Sequence, residues 1–358
     1  MRAAVYAPHA PQNVLVALEK LKPAFEPERR HRKHVFCRVL AAGVNPVDAK
    51  AVVADKLPES CVGLARRAVA GRTVGFDFSG VVVGVGAAAA AQFAPGDAVY
   101  GCMPPLQGTF CDFVVAPMSQ IAHKPTSISH VEAAALPIPI VTTVQAMRAH
   151  GCADASVRQN VLVIGASGGV GIVATQVAKA YGNDCVAVCS AKNAELVQSL
   201  GADRVVKYDT DPDTIATIRS LGPYDFVFDT VSSHDARDNA ARYKDRLTAS
   251  PSVLRDAKSH AYVTIGGPTS YWVRALAKRW LGWNLFSPSH DHHWIRFPGC
   301  ADDLAEARRL VDEASVRPRV AEAVPLTDDG VQRAFAAMHA RRAVGKFVVD
   351  VSLGAEAE

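Results

Sequence analysis

VLVIGASGGVGIVATQVAKA, residues 161–180, sets a glycine-rich break between two apolar runs of different period. Val161 to Ile164 read as a strand buried on both faces, and the residues after Gly171 carry the apolar spacing of a helix. Gly165, Gly168 and Gly171 are spaced G-x-x-G-x-x-G, one residue away from the usual dinucleotide fingerprint. The physical need is the same: a tight turn, close approach of backbone to a pyrophosphate, and a helix N-terminus aimed at it. Strand, loop and helix in this register predict a dinucleotide site, against the alternative of a glycine-rich turn that holds nothing.

The same alternation continues downstream. CVAVCS is followed by NAELVQSLGA, RVVKYD by DTIATIRSLG, and YDFVFDTV by a long polar stretch and then AYVTIGG. Strands alternating with helices predict a doubly wound parallel sheet, a Rossmann unit over 126–299. Upstream the pattern differs: VFCRVLAAGV, FSGVVVGVG, DAVYG and FCDFVVA are short β runs separated by Gly, Pro and Asp turn chemistry. Residues 1–125 are expected to form a mostly β unit, completed by a returning tail over 300–358 that holds the helix ADDLAEARRLVDEASV and the strand GKFVVDV.

The second strand of the unit ends at Ser190, nineteen residues beyond Gly171, and Lys192 follows. An acidic side chain closes that strand in most NAD-binding units, where it takes the ribose 2′-hydroxyl. A hydroxyl and an ammonium suit a 2′-phosphate instead, through a charge-assisted bond from Lys192, with Tyr208 covering the same adenosine end. The expected cofactor is therefore NADPH. The alternative is that Ser190 N-caps the helix starting near Asn193.

Bulk composition excludes several classes. The chain has 358 residues, 49% hydrophobic and 21% charged, with a formal net charge of +4, as a soluble two-domain protein would. The cations are dispersed except for RRHRKH at Arg29 to His34, read as a solvated loop and not a nucleic-acid contact. Eight cysteines stand singly, without a C-x-x-C pair or a secretory leader, which predicts reduced thiols. No apolar run reaches the ~18 residues of a membrane helix, since AAALPIPIVTTVQAM is interrupted by Pro137 and Pro139. A cytoplasmic location is expected, or an organellar one if a leader has been removed. His290, His292 and His293 are read as a polar or interface loop in preference to a metal tract.

AAGVNPVDAK, VGFDFSGVVVGVG, FAPGDAVYG, GTFCDFVVA, AAALP with VTTVQAM, IGASGGVG, YDFVFDTV, YVTIGG and VGKFVVDV follow one another along the chain. This ordered set resembles the medium-chain dehydrogenase/reductase superfamily. It is similar to the zinc-independent quinone oxidoreductase branch, with its reticulon-4-interacting and chloroplast-envelope quinone oxidoreductase-like proteins. The resemblance implies a GroES-like β domain, a Rossmann domain, an active cleft and a homodimer. Zinc alcohol dehydrogenases of the superfamily carry a ligand Cys in G-I-C-G-T-D and a ligand His in G-H-E; here Asn45 and Phe76 stand at those places. Without thiolate and imidazole a tetrahedral zinc site is not expected.

The implied chemistry is hydride transfer from NADPH to a quinone or an α,β-unsaturated carbonyl. Asn45 is the first candidate for stabilising the developing oxyanion, with turn chemistry of its Asn-Pro pair as the alternative, and Tyr100 is a candidate proton donor or a core tyrosine. Asp48 is read as a structural acceptor. By position, the resemblance puts Thr142 on the nicotinamide side, Ser167, Gly168, Gly169 and Val170 at the pyrophosphate, Gly266 and Gly267 under the nicotinamide ribose, and Arg342 and Lys346 near the cofactor. Enoyl-thioester reductases of the superfamily have a proton-donating tyrosine in the segment that here is 51–72, which contains none. YWVRALAKRWLGWNLF, Tyr271 to Phe286, is expected at a subunit interface or over the cleft, a membrane surface being the alternative. A non-catalytic NADPH-binding protein of the same fold is the rival function.

Overall fold

The computed structural model describes residues 1–7, 14–17, 20–50, 70–104, 107–232, 242–256, 261–267, 269–286, 289–296, 300–341 and 343–353. Arg342 and most of the 51–72 segment lie outside them. The chain forms two compact units, Met1–Val141 with Arg296–Glu358, and Thr142–Ile295. Residues 126–141, which the alternation of strands and helices groups with the nucleotide-binding half, belong to the first unit, because the helix His130–Ala134 packs Ala134 and Ala135 against Ala41 and Val348.

In the first unit β1 (Ala3–Tyr6) and β2 (Val14–Ala17) pair antiparallel. A larger sheet contains β3 (His34–Gly43), β4 (Asp77–Val85), β5 (Ala98–Cys102), β6 (Phe113–Pro117) and β7 (Ile121–His123). Val35, Cys37, Val39 and Ala41 of β3 are buried at every second position, as a strand with one face on a core requires. β3 is long enough to pair β4 along one edge and to share the other between two partners, with β6 taking residues 34–38.

The second unit is a parallel sheet of β8 (Asn160–Ile164), β9 (Asp184–Cys189), β10 (Arg204–Lys207), β11 (Phe226–Asp229), β12 (Ala261–Thr264) and β13 (His290–His292), in the order β10-β9-β8-β11-β12-β13. β8 to β11 is the switch point, where successive strands begin to be laid down on the opposite side, and ligands of such sheets lie outside the strand C-termini there. Val161 to Ile164 and Phe226 to Phe228 are at most 1% exposed, which explains why these strands are continuously apolar.

The tail then adds β14 (Val320–Pro325), parallel to β15 (Lys346–Asp350), which pairs antiparallel with Ala41–Gly43 of β3. Between them the helix Asp328–His339, N-capped by Thr327, packs Phe335 against Phe110 with ring centroids 6.2 Å apart. Pro137 and Pro139 do not interrupt helix formation: they occupy the first turn of the helix Pro137–Ala149, where the missing N–H groups have no intrahelical acceptor to satisfy. Among the described residues no helix is long and apolar enough to cross a membrane.

Candidate active site

The glycine loop leaves β8 and enters the helix Gly169–Ala180, with Gly168 as N-cap. Gly165 has φ +84°, and a Cβ there would lie 2.4 Å from Val231 Cγ2. A Cβ on Gly171 would lie 2.1 Å from the Gly165 carbonyl oxygen, so this glycine lets the helix close onto the loop. Gly168 differs: its Cβ would meet only the Gly165 oxygen, at 3.4 Å, and otherwise open space. A cradle shut underneath by two glycines and left open at the third fits a pyrophosphate. The first N–H groups of the helix, those of Gly169 and Val170 among them, have no intrahelical acceptor and carry the positive end of its dipole.

The adenosine end is assembled by contacts that the sequence pattern does not display. Asn193 Nδ2 donates to Ser190 Oγ at 3.0 Å and to Ser167 Oγ at 3.2 Å, tying the end of β9 to the glycine loop. Ser190 is buried and its hydroxyl caps no helix, so the capping alternative falls away. Lys192 is exposed, and Tyr208, one residue past β10, is 53% exposed with its N–H bonded to the Cys189 carbonyl. A carboxylate does stand nearby: Asp209 Oδ1 accepts from the Ala191 N–H at 2.7 Å.

Beyond β11 and β12 lies a pocket of about 300 Å³, lined among others by Ser232, Lys244, Thr264, Gly266, Gly267 and Tyr271. Its floor is braced by Asp229, which accepts from the N–H groups of Val231 and Ser232 and from Tyr262 Oη at 2.6 Å. Gly266 and Gly267 are on a wall of this pocket. Thr142, at the start of this unit, is 6% exposed. His290 and His292 both bond Thr264 Oγ1, at 3.2 and 3.1 Å, and His290 is pushed down to about 3 by burial and then by the charge of Lys244.

Asn45 sits in the first unit, in a polar cluster that is almost wholly buried. Lys346 Nζ donates to Asp77 Oδ2 at 2.6 Å and to Asn45 Oδ1 at 2.5 Å. Asn45 Nδ2 donates to Asp77 Oδ2 at 3.0 Å and to the Gly43 carbonyl at 3.3 Å, while its N–H donates to Asp48 Oδ2 at 2.6 Å. The Ile138 N–H occupies Asp77 Oδ1 at 3.0 Å. Exposures of 3% for Asn45, 0% for Asp48 and Asp77, and 6% for Lys346 leave little room for solvent. Burial raises both carboxyls above their ordinary range; at Asp77 the opposing pull comes from Lys346, Asn45 and the Ile138 N–H.

Three sequence-based assignments change here. Both amide hydrogens of Asn45 are committed to internal acceptors, so none is left to donate to an oxyanion, and Lys346 is an ion-pair partner instead of a cofactor contact. Tyr100 is a core residue: it is 0% exposed, its hydroxyl donates to the Leu304 carbonyl at 2.6 Å, and burial raises its pKa far above the ordinary phenol value. Asp77, Asn193 and Asp209 were not singled out from the sequence: Lys346 is 269 positions from Asp77, and Asn193 and Asp209 act from loops, on Ser190 and Ser167 and on the Ala191 N–H.

Comparison with known proteins agrees with this architecture. The family model for the alcohol dehydrogenase GroES-like domain matches residues 31–126, and that for zinc-binding dehydrogenases matches residues 200–349. The mitochondrial NAD(P)H oxidoreductase RTN4IP1 of Homo sapiens is 31% identical over 350 residues, covering 88% of this chain and 81% of its own. The trans-enoyl reductase pgmF of Aspergillus terreus is 28% identical over 325 residues, covering 88% and 86%. The solved structure of the quinone oxidoreductase from Coxiella burnetii superposes with a TM-score of 0.73 over 98% of this chain and 99% of that one, at 21% identity. A GroES-like β unit and a doubly wound unit with an open glycine cradle define a nicotinamide-dependent oxidoreductase. The chain belongs to the medium-chain dehydrogenase/reductase superfamily, in its quinone oxidoreductase-like branch.

Proposed function

We propose that the protein is a zinc-independent reductase that uses NADPH to reduce a quinone or an α,β-unsaturated carbonyl. The observation that carries this reading is the buried Asn45–Asp77–Lys346 cluster. By the resemblance Asn45 takes the place of a zinc-ligand cysteine, and its side chain is bonded to the Gly43 carbonyl, Asp77 and Lys346. A catalytic zinc needs three protein ligands with an open fourth position, and no group of three such side chains occurs among the described residues. Acceptors that delocalise charge into their own conjugated system need no Lewis acid.

The dinucleotide, when bound, supplies a hydride. Ser167, Gly168, Gly169 and Val170 are proposed to hold its pyrophosphate at the helix N-terminus. Ser190, Lys192 and Tyr208 take the 2′-phosphate, and Thr142, Gly266 and Gly267 the nicotinamide end. Arg342 stays an expectation of the sequence alone. The position of β13 at the edge of its sheet and the exposed Val273, Leu276, Trp280, Leu281, Trp283 and Leu285 favour a homodimer, with peripheral membrane contact as the alternative. Light scattering with and without lipid vesicles separates the two. The mitochondrial relatives favour the organellar alternative over a cytoplasmic one.

Stopped-flow absorbance of NADPH and NADH against a benzoquinone, a naphthoquinone and an aliphatic enone tests the reading. Turnover with NADPH is expected, and Lys192→Glu should cut the preference for NADPH over NADH by about tenfold or more, the value of one charge-assisted bond. Tight NADPH binding with no turnover on any acceptor would instead favour the binding-protein function.

A further inference from the structure

We propose that Tyr271 is the proton donor of the reduction and that Lys244 positions its hydroxyl. The inference rests on the proposed reductase function and names a role for two residues that the family motifs do not touch. It begins from the tyrosines whose hydroxyls are already committed: Tyr6 donates to the Asp48 carbonyl, Tyr100 to Leu304, Tyr224 to Ile218 and Tyr262 to Asp229. Tyr208 stands at the adenosine end, away from the pocket lining. Tyr243 and Tyr271 both line the pocket at the C-terminal crest of the parallel sheet; Tyr243 is buried, whereas Tyr271 is half-buried beside Gly266 and Gly267.

Its geometry suits proton donation. Lys244 Nζ donates to Tyr271 Oη at 2.9 Å. An ammonium has no acceptor capacity, so Tyr271 Oη is the acceptor in this bond and its own proton remains available to a molecule in the pocket. The same ammonium is next to the oxygen on which negative charge appears once that proton leaves.

The ring is held from several sides. It lies 5.0 Å from the His290 ring, 5.7 Å from His292 and 6.0 Å from Phe286, centroid to centroid. Gly267 allows the fourth contact: with φ +151°, a Cβ there would be 2.5 Å from Tyr271 Cδ2, so only glycine admits the ring at this distance. A donor fixed by packing and by one directed hydrogen bond delivers its proton along a defined path.

The step balances as follows. The acceptor gains a hydride at one end of its conjugated system from the dihydronicotinamide, which is oxidised. The π pair shifts towards the acceptor's carbonyl oxygen or α-carbon. The Tyr271 O–H bond breaks, its proton joins the acceptor there, and the bonding pair stays on Tyr271 Oη beside Lys244. Water then returns the proton, with release of hydroxide that the buffer takes up.

Tyr271→Phe keeps the ring and removes the proton; Lys244→Met keeps the stem and removes the charge. Fluorescence titration with NADPH alone should give unchanged dissociation constants for both, reporting an intact fold and cofactor site. With the wild type's best acceptor, Tyr271→Phe should lower kcat by about 100-fold or more, the range of general acid catalysis, with little change in KM. Reduction of an α-substituted enone in deuterated water should place deuterium on one face of the α-carbon in the wild type and on both faces in Tyr271→Phe. Wild-type turnover that survives in Tyr271→Phe, with deuterium still on one face, overturns the role of Tyr271 and leaves the reductase function standing. A wild type that turns over no acceptor overturns that function and this inference with it.

Discussion

Lys346→Met isolates the energetics of the buried cluster. The wild-type ammonium is 2.6 Å from Asp77 Oδ2 and 6% exposed, against 0% for Asp77. Removing it leaves a carboxylate in a site where burial already works against its charge. Breaking a buried pair from one side costs about 3–5 kcal/mol, because the surviving charge has neither water nor a counter-ion. In Lys346→Met the pKa of Asp77 rises further above its unfolded value. A carboxyl of that kind contributes stability at low pH that is lost as pH rises through the folded pKa. The deficit relative to wild type is therefore expected to be larger at pH 8 than at pH 5.

Urea unfolding followed by far-ultraviolet circular dichroism is the assay. Tryptophan emission is unsuitable, because Trp272, Trp280, Trp283 and Trp294 all lie in the second unit. The double variant Lys346→Met with Asp77→Asn should cost less than the sum of the two single changes, by about 2 kcal/mol or more. A single-variant cost below about 1 kcal/mol, unchanged between pH 5 and 8, would refute the reasoning, since exposed pairs behave that way.

The remaining predictions concern the second unit. Gly168→Ala should leave the melting temperature unchanged and weaken dinucleotide binding roughly tenfold, because its methyl enters the open side of the cradle. Gly171→Ala should instead cost about 1–3 kcal/mol of stability, since its Cβ meets backbone at 2.1 and 2.7 Å; thermal melts with and without NADPH distinguish them. His290, at about 3 in the folded protein against 6.5, leaves the unfolded chain to take the proton first. Stability should be full above pH 6.5 and fall as pH drops towards 3, with His290 accounting for up to about 3 kcal/mol by pH 4. His290→Asn should flatten that slope, and an unaltered slope would show that the acid loss arises elsewhere. His130, lowered to about 4 by burial and then by Lys124, acts in the same direction.

The glycine loop was legible because its main constraints are local: Gly165 is required by its own positive φ, and Gly171 by the Gly165 carbonyl six residues back. The doubly wound order was legible for a related reason, since strands buried on both faces must be apolar throughout. The polar cluster was not. Asp77 and Lys346 are 269 positions apart, and neither period nor propensity reports such a pairing. The two prolines of Pro137–Ala149 looked like an interruption because a proline's effect depends on whether it falls inside a helix or in its first turn. Asn193 escaped notice because it links two loops through a side chain and belongs to no strand or helix signal.

Lys346 and Lys244 show how environment separates two residues of one type. The Lys346 ammonium is bonded to a carboxylate and an amide oxygen, neither of which has a proton to give away, so its bonds hold the Asn45 turn in place. Lys244 is bonded to a hydroxyl on a pocket wall, and that hydroxyl has a proton to give. Charge that appears on Tyr271 Oη during turnover strengthens the Lys244 bond at the moment it appears, whereas the bonds of Lys346 are the same before and after. Only an interaction that strengthens on the way to the transition state lowers a barrier. Loss of Lys346 is therefore expected to show first in stability, and loss of Lys244 first in kcat.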